Sequence, residues 1–122
     1  MFYVELFRRL EEAGVRYLVV GGVAVNLHGV NRLTHDVDLM LAFGLRPQNP
    51  VEPTVDILVN SPVEFEAAYA RRVVVDVSGQ NISVASIADI ITMKSGTGRA
   101  KDQDDIAMLK RLWELDGTRN GR

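Results

Sequence analysis

The stretch Gly21-Gly22-Val23-Ala24-Val25-Asn26-Leu27-His28-Gly29, followed by Arg32, Thr34, Asp36 and Asp38, decides the reading of this chain. It comes directly after Tyr17-Leu18-Val19-Val20, a short β-rich run, so the local unit is a strand, a glycine turn and a short helix closed at His28-Gly29. A glycine pair after a strand is, by itself, an ordinary turn. Where such a turn opens a helix, it also exposes backbone N–H groups with no side chain in the way, so that phosphate oxygens can approach the positive helix end. The spacing fits neither a Walker motif nor a dinucleotide-binding fingerprint.

The run Asp36-Val37-Asp38-Leu39-Met40-Leu41 alternates, which predicts a strand with both aspartates on one face and Val37, Leu39 and Leu41 on the other. Two such carboxylates stand roughly 7 Å apart at a rise of ~3.3 Å per residue. They are ordinary acids on a solvent-facing edge strand; elsewhere they repel unless a cation or basic group lies between them. A third carboxylate, Asp56, sits in the middle of the β-rich run from Thr54 to Val59. Acids from two adjacent strands form a hard oxygen site suited to Mg²⁺ or Mn²⁺.

Outward from this centre, Phe2, Leu6, Phe7, Leu10 and Ala13 recur at helical steps and predict an amphipathic helix that stops at Gly14. Residues Ala42 to Pro53 carry Gly44, Pro47, Pro50 and Pro53 and read as a loop. Ser61-Pro62-Val63-Glu64 matches a capping box for a helix reaching Tyr69 or Ala70. Val73 to Val77 and Ile82 to Val84 flank Ser78-Gly79-Gln80-Asn81 as a hairpin. Ser86 and Asp89 cap a helix through Lys94, and Asp102 is read as the N-cap of a last helix to about Leu115, with Ile106, Leu109, Leu112 and Trp113 as its apolar face. The expected fold is α+β: a mixed, mostly antiparallel sheet of about five strands with helices packed mainly on one face. Residues 1–115 are expected to form a single domain and residues 116–122 a flexible polar tail.

Composition agrees with this and excludes several alternatives. A chain of 122 residues, 47% hydrophobic, with 14 Lys plus Arg against 16 Asp plus Glu, describes one soluble globular domain. It has no cysteine, which removes disulfide scaffolds, zinc ribbons and thiol catalysis, and its two histidines make an all-histidine metal site a poor reading. A formal charge of −2 argues against an extended nucleic-acid-coating surface. The longest apolar runs fall far short of the ~20 residues of a membrane span, and the start shows no secretory signal, so a cytoplasmic location and no membrane contact are expected.

The run from Val19 to Leu39, in the form GG-x-A-x-x-x-HG-x-x-R-x-T-x-D-x-D-L, resembles the nucleotidyltransferase fold of the DNA polymerase β superfamily, and within it the small bacterial AbiEii-like minimal nucleotidyltransferases. The likeness continues through Met93-Lys94 and Arg99-x-Lys101-Asp102-x-x-Asp105-Ile106 to Leu109. The resemblance implies that Gly21 and Gly22 cradle nucleotide phosphates, and that Asp36, Asp38 and Asp56 are catalytic and hold two Mg²⁺ or Mn²⁺ ions. It also makes Arg32, Thr34 and Lys94 candidates for nucleotide contacts. For Arg32 and Lys94 a surface salt bridge is the competing reading. Val23 stands where many relatives carry Ser or Thr, and the loop from Ala42 to Pro53 stands where many have a helix. His28 is read as structural, at a helix end where a cation is favourable, and His35 as pointing away from the aspartate face. Lys101, Asp102 and Asp105 are read as a cap and first-turn charges, with a nucleotide-side or partner contact as the minority reading.

The implied activity is transfer of a nucleoside monophosphate from an NTP substrate to a hydroxyl on a protein, an RNA end or a small molecule, with release of pyrophosphate. The alternative is a nucleotide- or partner-binding module of a toxin–antitoxin-like pair with little catalysis of its own. A homodimer or a helical partner protein suits a short domain with an open site.

Overall fold

The computed structural model describes residues 2–30, 37–41, 55–58 and 63–116. In chain order these form α1 (Phe2–Glu12), β1 (Tyr17–Val20), α2 (Gly21–Leu27), β2 (Val37–Leu41), β3 (Val55–Leu58), α3 (Phe65–Ala70), β4 (Val73–Val77), β5 (Gln80–Val84), α4 (Ile87–Ser95) and α5 (Ala100–Asp116). The five strands make one sheet in the order β3-β2-β1-β5-β4. The α+β mixed sheet is therefore the one expected, but its pairings divide evenly. β1 with β2 and β4 with β5 are antiparallel, whereas β1 with β5 and β2 with β3 are parallel. Parallel neighbours need a connection that returns the chain to the starting end of the sheet. For β2 and β3 that connection includes the proline-containing loop, which lies outside the described residues, as does the terminal stretch 117–122.

The sheet is built around β1. Tyr17, Leu18, Val19 and Val20 are all buried, so this strand is covered on both faces. On one side the ring of Phe7 from α1 stacks on Tyr17 at 5.3 Å between centroids. The Tyr17 hydroxyl accepts a hydrogen bond from the Ser83 N–H at 3.2 Å. Edge strand β4, by contrast, alternates between half-buried Val73, Val75 and Val77 and exposed Val74 and Asp76.

Element ends follow local chemistry. In α4 the Ser86 hydroxyl accepts from the Asp89 N–H, as the capping pattern predicts. The hairpin turn is tighter than expected: β5 already starts at Gln80, and Ser78 and Gly79 both take positive φ (53° and 84°), as a two-residue hairpin turn requires. Ser61 and Pro62 of the expected capping box lie outside the described residues, and helix α3 starts only at Phe65. Glu64 is its N-cap, because the longer carboxylate reaches both the Glu66 and Ala67 N–H groups. Helix α5 starts at Ala100, which places Asp102 in its first turn rather than at the cap. Leu109 and Ile106 of α5 are buried, with Leu112 and Trp113 packed partly against the core. No helix among the described residues is long and apolar enough to cross a membrane.

His28 closes α2, and its Nε2 lies 2.8 Å from the Ala85 carbonyl oxygen, so the ring N–H donates to that carbonyl. Burial pushes its pKa below the ordinary 6.5, against the smaller opposing pull of that hydrogen bond. The helix-end cation read from sequence is thus replaced by a neutral link between α2 and the end of β5. Because the unfolded chain takes up this proton more readily, the His28 contribution to stability is complete above pH 6.5 and is lost as the pH falls toward the lower folded value. Urea denaturation at about pH 8 and about pH 5.5 should show lower stability at the acid end, and His28→Gln should flatten that dependence.

Candidate functional site

The site begins at the last residue of β1. Val20 is the register partner of Asp38 on β2, and Gly21 follows immediately as the first residue of α2. The backbone of Gly21 is thereby pressed against the Asp38 side chain. A Cβ at Gly21 would collide with the carboxylate oxygen and would stand only 2.9 Å from its Cγ. Gly21 also has φ +70°, a conformation L side chains rarely adopt. Two independent constraints thus require glycine here. Val20, extended at the N-cap, offers α2 no side-chain hydrogen bond, and the half-buried Asp38 carboxylate is the acid that stands at this end of the helix.

Strand β3 brings the next acid. In the parallel pairing of β2 with β3, Asp38 is the Cα partner of Asp56. Adjacent strands are about 4.8 Å apart, so two acidic positions are direct neighbours beside the glycine turn. Gly22 follows in the first turn of α2. Asp36, Arg32 and Thr34 lie outside the described residues, and of Asp56 only the backbone is described. Among the described residues no group of three His, Cys, Asp or Glu could hold a metal ion. As residue types, aspartates at the register positions 38 and 56 are oxygen donors of the kind a hard divalent cation takes.

Lys94, a candidate for a phosphate contact with a surface salt bridge as its competing reading, lies in an ion-pair cluster. It is buried at the end of α4, with its ammonium 2.9 Å from Asp102 Oδ1 and 3.1 Å from Asp105 Oδ2 of α5. Asp102 is fully buried and also accepts hydrogen bonds from Thr97 Oγ1 at 2.6 Å and Arg99 Nε at 2.7 Å. Burial alone would raise its pKa, but bonds from Thr97, Lys94 and Arg99 outweigh this and hold the carboxyl well below the usual carboxylate range. Arg99, Asp102 and Asp105 of the R-x-K-D-x-x-D segment are thus joined to Lys94 in one cluster, while Lys101 is exposed. In a second pair, which residue spacing does not signal, Arg71 is held bidentately by buried Asp89 at 3.0 and 2.8 Å. The Ser86–Asp89 cap read from sequence is met by the Asp89 N–H on the Ser86 hydroxyl, while the Asp89 carboxylate goes to Arg71.

This arrangement of strands and helices, with two acids in register beside a glycine turn, defines a nucleotidyltransferase-like fold. The structure is similar to the crystal structure of an antigenic nucleotidyltransferase-like protein from Paracoccidioides brasiliensis, with a TM-score of 0.65 and 17% sequence identity, over 92% of this chain and 73% of that one. The chain belongs to the family described as nucleotidyltransferase of unknown function (DUF6036), whose profile matches residues 4–116. No curated protein matches the chain.

Two substitutions separate the constraints. Gly21→Ala should cost about 1–3 kcal/mol from its backbone conformation and the collision with Asp38. Part of that loss should return in the Gly21→Ala, Asp38→Ala double variant, read as a double-mutant cycle in urea. Lys94→Met should cost about 3–5 kcal/mol, because it leaves Asp102 and Asp105 buried without the ammonium between them.

Proposed function

We propose that this protein is a metal-dependent nucleotidyltransferase of the small AbiEii-like type, moving a nucleoside monophosphate from an NTP to a hydroxyl acceptor. The observation that carries this reading is the contact of Gly21 with Asp38, with Asp56 in register beside it, in a chain that belongs to a nucleotidyltransferase family. In this reading Gly21 and Gly22 present backbone to the phosphates, because no side chain blocks the approach. Arg32 and Thr34, from the segment entering β2, would contact the nucleotide. Asp36, Asp38 and Asp56 would hold two Mg²⁺ or Mn²⁺ ions. When bound, such ions supply charge neutralisation and in-line alignment of the attacking and leaving oxygens. The acceptor oxygen bonds to the α-phosphorus, the bond from that phosphorus to its bridging oxygen breaks, pyrophosphate leaves, and the hydroxyl proton passes to Asp56. Lys94, buried between two carboxylates, would serve the site by fixing α4 against α5 more readily than by reaching a phosphate.

The test is incubation of the folded protein with labelled NTPs, Mg²⁺ or Mn²⁺ and cell extract. Labelled acceptor and released pyrophosphate are expected, with Asp38→Asn slower by on the order of 10²-fold or more. Metal-dependent NTP binding by calorimetry without turnover would instead favour a binding module, and the absence of both binding and turnover would overturn the proposal.

A further inference from the structure

The sheet ends at β4, which among the described residues pairs with β5 alone. Its sequence, Val73-Val74-Val75-Asp76-Val77, is strongly β-forming, and such an edge is a template for pairing with another strand. The two-residue turn makes Val77 and Gln80 the first hydrogen-bonded pair of the hairpin. Antiparallel pairs alternate, so Val73, Val75 and Val77 direct their N–H and C=O groups to β5, while Val74 and Asp76 direct theirs outward. The same two residues carry the exposed side chains of the strand, with Val74 53% exposed.

We propose that this edge pairs with β4 of a second copy of the chain, antiparallel, about a two-fold axis through Val74. The outward backbone groups allow registers centred on Val73, Val74 or Val75, and charge selects among them. Centred on Val74, Arg72 lies opposite the partner's Asp76, Asp76 lies opposite the partner's Arg72, and the two exposed valines meet at the axis. Centred on Val73 or Val75, Val74 would instead face Arg72 or Asp76. Charges that protect an edge from self-association repel a second copy. Here opposite charges stand at mirror positions, so antiparallel approach makes them attract.

Both charges are already held in place, which lowers the ordering cost of pairing. Arg72 lies 4.0 Å from the Tyr69 ring centroid and donates one N–H to the Tyr69 carbonyl, keeping further donors. Asp76 accepts the Gly79 N–H through Oδ1, leaving Oδ2 for a partner. The edge is at the opposite end of the sheet from β2 and β3, so a second copy there leaves the Gly21 and Asp38 region accessible.

Sedimentation across a concentration series tests the pairing. The natural chain should form a dimer, whereas Arg72→Asp and Asp76→Arg should each be monomeric, because each places like charges opposite one another twice. An equimolar mixture of the two folded variants should restore a dimer, since every facing pair is then opposite in charge. The chain has no cysteine, so Val74→Cys provides a single thiol at the axis. A short bis-maleimide should cross-link it between chains but should leave Asn81→Cys single, whose thiols would be at least roughly three strand spacings, ~14 Å, apart. A natural chain that stays monomeric throughout, a dimer that survives both charge reversals, a mixture that fails to reassociate, or Val74→Cys that does not cross-link overturns the proposal.

Discussion

The backbone of Ala85 is buried, and both of its polar groups are claimed by the unit that carries the glycine turn. Its N–H donates to the Val19 carbonyl at 3.0 Å, and its carbonyl faces His28 Nε2 at 2.8 Å. One residue at the exit of β5 therefore holds β1 near its end and α2 at its end. A buried backbone group left without a partner is costly, so these bonds leave little freedom in how α2 leaves the sheet. With α2 tied at its far end and β1 enclosed on both faces, the junction at Gly21 is held in position from both sides. That position is against Asp38, through the pairing of Val20 with Asp38. The geometry of the candidate site is thus a consequence of how a neutral imidazole and a strand carbonyl satisfy one buried residue.

What could be read from the sequence was local. The β-rich run before the glycines, the alternation around Asp38, the Val73 to Val77 strand and the Ser86 cap all carry their signal within a few residues, and each is an element or cap of the structure. Sheet order carries no such signal. The parallel pairing of β2 with β3 depends on a connection whose path the composition of residues 42–54 does not specify, so the mostly antiparallel expectation gave too little weight to crossovers. The later start of α3 has a different cause. Serine and glutamate are both capping residue types, and a pattern match on Ser61 cannot rank it against Glu64 three residues on.

The same limit applies inside the site. In sequence Gly21 reads as backbone open to phosphate, but the collision that a side chain would make with Asp38 depends on two segments meeting. Lys94 and Asp102 are eight residues apart on either side of a glycine-broken turn, and each taken alone resembles a surface charge or a cap. Their burial against one another, with Thr97 and Arg99 completing the cluster, follows from α4 folding back on α5, which residue spacing does not encode.

The two acidic centres of the protein differ in what the neighbouring segment brings to them, and that difference separates architecture from chemistry. Asp102 is met by side chains: an ammonium, a guanidinium and a hydroxyl converge on it, and Lys94 and Arg99 match Asp102 and Asp105 charge for charge. Such a cluster is complete within the chain, and burial makes each partner expensive to remove. Asp38 is met at the end of β1 by a residue with no side chain, held in a conformation and at a distance that only glycine tolerates. Glycine at the start of α2, beside acidic register positions on two strands, puts backbone rather than a side chain against the Asp38 carboxylate, and it is on this contact that the proposed chemistry rests.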